Sequence, residues 1–333
     1  MTIHAPTDDA IRCAAQALVS GSLVAFPTET VYGLGADAGN PAAVERIFAA
    51  KGRPADHPVI VHLAGVDALP QWARAVPEGA RRLAEAFWPG PLTLILPRAA
   101  GVADVVTGGQ DTVGLRVPAH PVARALLDAF TGLGGHGIAA PSANRFGRIS
   151  PTTARHVDDD LGAAAAMVLD GGACPIGIES TIVAFDGEEP LLLRPGGLAV
   201  DDLARVLGRM PQAAGAGAPR ASGTLAAHYA PRTRTQLIPA GALLSEVRQR
   251  LERDEDPAVL GRGVAPPADF DGTWIAAPAD PAGYAHDLYA NLRRLDAADA
   301  DEILIELPPA GAAWLAVQDR LARAAAGSDD DRD

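Results

Sequence analysis

The sequence predicts an α/β protein in two unequal parts, and three observations carry that reading. Apolar runs of strand length alternate with stretches of helical period along most of the chain. At 333 residues the chain exceeds the usual size of one compact domain. From Pro211 to Ala227 the hydrophobic period stops and Ala, Gly, Pro and Ser take over, the mark of a linker. The expected divisions are 1–210 for a first domain, 211–233 for the linker, 234–327 for a second domain and 328–333 for an acidic tail.

Taken in order, residues 8–19 place Ile11, Ala14, Ala15 and Leu18 on one helical face. The strand LVAFP follows, and its continuation FPTETVYGLG changes character. Thr28, Glu29 and Thr30 stand at the strand mouth, before Tyr32 and a turn built on Gly33 and Gly35. Asn40 and Pro41 open a helix as N-cap and first-turn proline, and AAVERIFAAK ends at Gly52. Lys51 and Arg53 therefore sit where that helix unwinds, beside the strand PVIVHL, with His57 and His62 in the same stretch.

A helix through LAEAFW stops at Pro89 and leads to the strand LTLIL. In TVGLRVP, Val113, Leu115 and Val117 alternate with Thr112, Gly114 and Arg116, so Thr112 and Arg116 share the other face. A helix over 121–130 precedes GIAAPSAN, an apolar strand ending in Ser142 and Asn144. Ser150 is read as the cap of a helix from Pro151 to Val157, and the strands MVLD, STIVAF and LLLRP and a helix from Asp201 to Leu207 complete this part. Beyond the linker come strand TQLIP, helix LLSEVRQRLE, strands AVLG and TWIAAP, helix YAHDLYANLRRL, strand EILIEL and helix WLAVQDRLARAA. That alternation indicates a small, mostly parallel, Rossmann-like α/β domain.

Composition narrows the function. Hydrophobic residues at 48% and charged residues at 21% supply a globular core. A net charge of -13 opposes a nucleic-acid backbone unless basic residues gather on one face. Cys13 and Cys174 form no CxxC pair, which excludes a disulfide framework and a cysteine zinc site. Asp8 and Asp9 stand where a signal peptide would be apolar, and no stretch nears membrane-spanning length; a cytoplasmic chain with no membrane partner is expected. Of 28 basic residues only Lys51 is lysine, and a compact ammonium suits phosphate contact as a point charge, with chance as the plain alternative.

Neither GxxxxGK[ST], GxGxxG, HExxH nor GxSxG occurs at a fitting place. What stands out is a set of polar and basic residues at strand ends, where open α/β sheets bind ligands: Thr28, Glu29, Thr30 and Tyr32; Lys51, Arg53, His57 and His62; Thr112 and Arg116; Ser142, Asn144 and Ser150; Glu179, Ser180 and Thr181; and Arg194. Several cations and hydroxyls at one rim suit a polyphosphate beside a small carboxylate. Singly, each has a plainer reading. Thr28 and Thr30 can satisfy a turn, His62 can be a core histidine, Arg116 and Thr112 can form a solvated face, and Ser142 and Asn144 can be turn formers.

The segments FPTETVYGLG, KGRPADHPVIVHL, WPGPLTLIL, VGLRVP, APSANRFGRISPT, GIESTIV and LRPG, in this order, resemble the YrdC-like family of L-threonylcarbamoyladenylate synthases over about residues 8–208. SGTLAAHYAP and the module after it resemble the longer, two-domain form. The resemblance implies a twisted, open, mixed sheet with a concave cavity. It also implies a reaction: L-threonine, bicarbonate and ATP give threonylcarbamoyl-AMP and pyrophosphate, with Mg2+ accompanying ATP and no protein metal site. The product would pass to the enzymes that transfer threonylcarbamoyl to tRNA, with a weak direct tRNA contact left open.

Residue by residue, the resemblance makes Lys51, Arg53, Ser142 and Asn144 the catalytic KxR and SxN pair. Thr30, His62, Arg116, Ala140 and Ser180 match L-threonine positions, Ala140 through its backbone alone. Arg53, His57, Thr112, Ser142, Ser150 and Arg194 match ATP positions together with Lys51 and Asn144, and His228 and Tyr229 match a segment covering the nucleotide. Two alternatives stay open: a module that grips RNA, opposed by the net charge, and a carbamoyl transferase, opposed by the lack of cysteine clusters.

Overall fold

The computed structural model describes residues 2–215 and 217–329. They form two compact units: one runs to Phe146 and from Ser150 to Thr224, the other comprises Gly147–Ile149 and the described residues from Leu225 onward. Residues 211–224, read from the sequence as linker, thus belong by contact to the first unit.

In chain order the strands of the first unit are β1 (Ile3–His4), β2 (Val24–Phe26), β3 (Gly33–Asp37), β4 (Ile60–His62), β5 (Leu92–Pro97), β6 (Thr112–Arg116), β7 (Ile138–Ala139), β8 (Met167–Leu169), β9 (Thr181–Asp186), β10 (Glu189–Arg194) and β11 (Gln212–Ala213). Among the described residues they make one mixed sheet in the order β1-β8-β2-β3-β7-β4-β6-β5-β9-β10-β11. Its helices are α1 (Asp8–Val19), α2 (Pro41–Lys51), α3 (Leu69–Trp72), α4 (Glu78–Phe87), α5 (Asp104–Thr107), α6 (Pro121–Gly132), α7 (Ala154–Leu161) and α8 (Val200–Leu207).

One face of the sheet buries Leu34, Val61, Leu94, Leu115 and Val183 against residues of α2, α4, α7 and α8. The opposite face is covered unevenly. Over β2, β7 and β8, Val24, Phe26, Ile138 and Leu169 pack under α1 and α6. Over β4, β5 and β9, Ile60, Ile95, Ile182 and Ala184 cluster with Ala221 from an irregular segment, and no described helix residue joins them. A half-sheet without a helical cover is where a ligand can lie against the strands.

Two local readings are corrected. Gly33 and Gly35 do not form a turn; they lie in β3, antiparallel to β2. Glycine is needed for close approach: a Cβ on Gly35 would stand 2.8 Å from Phe26 and 2.9 Å from Ile138. Ser150 does not cap a helix, because α7 starts at Ala154 with Thr153 accepting from the His156 amide. The α2 start is as read: Asn40 accepts from Ala43 N at 3.3 Å, and Gly52 ends the helix in the left-handed region at φ 64°. Since α2 carries Lys51, its cap bears on the site. Asn40→Ala is expected to cost about 1 kcal/mol, read as a lowered urea midpoint.

The second unit has β12 (Thr235–Ile238), β13 (Pro257–Gly261), β14 (Trp274–Ala276) and β15 (Glu302–Glu306), all parallel in the order β12-β15-β13-β14. Its helices are α9 (Leu243–Leu251), α10 (Pro281–Asp296) and α11 (Leu315–Asp329). After β15 the chain turns to α11, which packs on β12, whereas after β13 it turns the other way to β14. The ends of β13 and β15 therefore form the switch point where such sheets receive ligands. There Glu306, 2% exposed, accepts the amides of Arg262 at 2.6 Å and Gly263 at 2.9 Å. The acidic tail read from 328 begins inside α11, because the Ser328 hydroxyl accepts from Thr235 N at 2.9 Å and donates to the Ala325 carbonyl; residues 330–333 of that tail lie outside the described residues.

Candidate active site

Lys51 ends α2, and Val44, Ile47 and Phe48 bury that helix in the core at about 1.5–3 kcal/mol per large side chain. The residue is 3% exposed, and its ammonium donates to the carbonyls of Ser142 at 2.6 Å and Asn144 at 2.5 Å, and to Asn144 Oδ1 at 3.3 Å. All three N–H groups are thereby engaged. Burial, then the Arg53 charge, lower its pKa well below the lysine range, with Asp160 acting against them. Ser142 Oγ donates to Asn144 Oδ1 at 2.5 Å, and Phe146 N donates to the Lys51 carbonyl at 2.9 Å. The KxR and SxN motifs thus meet, with Lys51 clamping the loop that carries Ser142 and Asn144.

A second group surrounds Arg116 on β6, which is 4% exposed and so no solvated face. Its Nη1 donates to Thr30 Oγ1 at 2.8 Å, Nη2 to Glu29 Oε1 at 2.6 Å, and Nε to the Gly90 carbonyl at 3.3 Å. Thr28 Oγ1 lies 2.7 Å from the Val31 carbonyl, to which only the hydroxyl can donate, and 2.8 Å from Thr30 Oγ1. The proton order is therefore set: Thr28 donates to Val31, Thr30 donates to Thr28, and Arg116 donates to Thr30. His62 pairs with Arg116 in the β4–β6 register, and its buried Nδ1 has no hydrogen-bond partner. Burial first, then Arg116, push the His62 pKa down to about 3, so the ring is neutral.

A third group joins the arginines. Arg53 Nη2 donates to the Pro58 carbonyl at 2.8 Å and to Ser222 Oγ at 3.3 Å. Arg194 Nη1 donates to the Ser222 carbonyl at 2.7 Å, while its Nε and Nη2 hold the Ser180 carbonyl at 3.1 and 2.9 Å. Ser180 Oγ also meets Arg194 Nη2 at 3.1 Å and Thr93 Oγ1 at 2.8 Å. Two guanidiniums thus converge on Ser222, in the segment whose Ala221 lies on the uncovered half-sheet.

Residues 16–196, which make up most of the first unit, match the family model described as "Telomere recombination", and residues 198–326 match "Threonylcarbamoyl-AMP synthase, C-terminal domain". The threonylcarbamoyl-AMP synthase of Pyrococcus abyssi is 41% identical over 94% of this chain and 93% of its own, and that of Bacillus subtilis 40% identical over 96% and 94%. The chain belongs to the YrdC-like threonylcarbamoyl-AMP synthase family. The structure of P. abyssi Sua5 complexed with L-threonine superposes with a TM-score of 0.90 at 37% identity, covering 98% of this chain and 97% of that one.

The remaining positions suggested by the family pattern are spread more widely. His57 is half-buried and edges onto Phe146 at 5.4 Å, and the Arg53 guanidinium overlies the same ring at 5.8 Å. Burial, then Arg53, lower the His57 pKa. Thr112 lies at the start of β6 in a recess shared with Gly114, Ala221 and Ser222. Ser150 donates to Glu179 Oε1 at 2.6 Å. The Ala140 amide is spent on the Ile60 carbonyl at 2.9 Å, which leaves only its carbonyl for a backbone contact. His228 and Tyr229 belong to the second unit, where they pack edge-on at 4.2 Å and Tyr229 lies 5.6 Å from Tyr289.

Sequence reasoning for the family positions missed Ser222, Thr93 and the ion-pairing role of Glu29. The hydroxyl of Thr93 was legible in the alternation of LTLIL; nothing in the linker composition points to Ser222. Cys174 is no nucleophile, since burial pushes its thiol up to about 12. Among the described residues no three His, Cys, Asp or Glu side chains gather to hold a metal, and no helix is long and apolar enough to cross a membrane.

Proposed function

We propose that the chain is an L-threonylcarbamoyladenylate synthase, a nucleotidyltransferase that turns L-threonine, bicarbonate and ATP into threonylcarbamoyl-AMP and pyrophosphate. One observation supports this above others: His62 on β4 and Arg116 on β6 form with Thr30 a buried group suited to an amino acid, while Arg53 and Arg194 of β10, a pair suited to phosphates, meet at Ser222 beside the Ala221 that packs on the half-sheet without a helix.

Threonine's carboxylate pairs with Arg116. Its neutral amine takes up CO2, or bicarbonate with loss of water, to give N-carboxythreonine. A carbamate oxygen then attacks the α-phosphorus of ATP, and the bond to the β-phosphate bridging oxygen breaks as pyrophosphate leaves. Arg53 and Arg194 carry the charge that grows on the departing phosphates. The Lys51-clamped loop presents Ser142, and positioning of this kind supplies about 7–11 kcal/mol. Mg2+ accompanies ATP as part of the nucleotide substrate. The mixed anhydride is labile to water, and the segment Arg220–Ser222 over the half-sheet shields it. The product passes to enzymes that modify tRNA, in the cytoplasm.

The test is to incubate the purified chain with ATP, Mg2+, bicarbonate and each amino acid in turn, measuring pyrophosphate. Release that depends on L-threonine is expected. Release indifferent to the amino acid would overturn the threonine reading, and a salt-dependent gel shift of tRNA without threonine-dependent release would replace it with that of an RNA-binding module.

A further inference from the structure

Glu29 has no assigned role, yet its carboxylate is fully committed beside the amino-acid group. It is 5% exposed, with Oε1 accepting from Arg116 Nη2 at 2.6 Å and Oε2 accepting from Ala119 N at 3.0 Å. Its own carbonyl accepts from Ile176 N at 2.9 Å, so the backbone is pinned as well. Burial alone would raise the carboxyl pKa, but the charge and hydrogen bond of Arg116 outweigh it and hold Glu29 below the usual range, ionised at neutral pH.

The donors on Arg116 give this pairing its meaning. A guanidinium has five N–H groups. One goes from Nε to Gly90, one from Nη1 to Thr30 and one from Nη2 to Glu29. What remains is one N–H on each terminal nitrogen, and a guanidinium pairs a carboxylate through two such groups. We propose that Glu29 is a positioning residue: it sets the rotation of the Arg116 guanidinium so that this remaining pair faces the substrate carboxylate, and it neutralises the buried cation. The inference deepens the threonine reading above and rests on it.

Glu29→Gln keeps the shape and breaks the pattern. Both partners of the carboxylate are donors, so an amide must turn its NH2 toward either Arg116 or Ala119, and the fork is released or the 119 loop displaced. The experiment compares wild type, Glu29→Gln, Arg116→Lys and the double variant. It measures L-threonine binding by calorimetry and the threonine and ATP requirements of pyrophosphate release.

Glu29→Gln is expected to weaken threonine binding and raise its KM about 10- to 100-fold. The ATP KM should move less than about threefold, and in the Arg116→Lys background the added substitution should do almost nothing, because no fork is left to orient. Equal rises in both KM values, or full additivity in the double variant, overturn the proposal. Should Glu29→Gln not fold, Glu29→Asp, which keeps the charge at a shorter reach, must show the same selective loss of threonine; a uniform loss overturns the proposal. A wild-type chain that binds threonine without releasing pyrophosphate overturns the synthase reading and leaves the binding comparison to judge Glu29. One that binds no threonine overturns both.

Discussion

A Lys51→Met chain is expected to lose at least about 100-fold in kcat/KM for threonine-dependent pyrophosphate release. Methionine matches the length of lysine and donates nothing, so the oxygens of Ser142 and Asn144 lose their shared partner inside a site where Lys51 is 3% exposed. Each charge-assisted bond of this kind is worth about 1.5–3 kcal/mol. The loop bearing the Ser142 hydroxyl then relaxes, and a displacement of about 1 Å at a reacting centre can cost about 100-fold. Lys51→Arg is expected to fail as well, because a planar fork cannot meet three oxygens converging on one point. The assay is steady-state kinetics beside thermal melting. Full activity at an unchanged melting temperature would remove the clamp from the mechanism.

Arg116→Ala is expected to raise the threonine requirement about 100-fold or more, with far less effect on the ATP requirement. It should also destabilise the chain by about 3–5 kcal/mol, since Glu29 is left buried without its counter-charge. Glu29→Gln with Arg116→Met removes both charges, so that pair is expected to regain much of the stability and none of the threonine affinity. Urea denaturation separates the two effects. Equal rises in both substrate requirements would contradict the assignment of Arg116, and equal stability of the two variants would contradict the ion-pair account.

How much of this was legible in the sequence differs by element. The helix that delivers Lys51 was readable because Asn40, Pro41 and Gly52 are local signals, each acting within a few residues. The shared face of Thr112 and Arg116 was readable because strand periodicity is local too. The strand at Gly33–Asp37 was not, since glycine is a poor strand former and its reason for being there is the ring of Phe26 and the side chain of Ile138. The clamp was hidden by distance: Lys51 and the carbonyls it holds are 91 and 93 positions apart. Ser222 was hidden for another cause, as a segment with no hydrophobic period gives no sign of which surface it will lie on. Ser150 offered a false local signal, its hydroxyl going to Glu179 while Thr153 does the capping.

In the second unit, the switch point where a parallel sheet of this kind can offer amides to a phosphate already holds a carboxylate from the neighbouring strand. An incoming phosphate would meet a like charge there instead of a cradle. This smaller part of the chain thus has a parallel α/β sheet without the electrostatics of a phosphate site at its switch point, so the outline of the domain is a poor guide to its ligand.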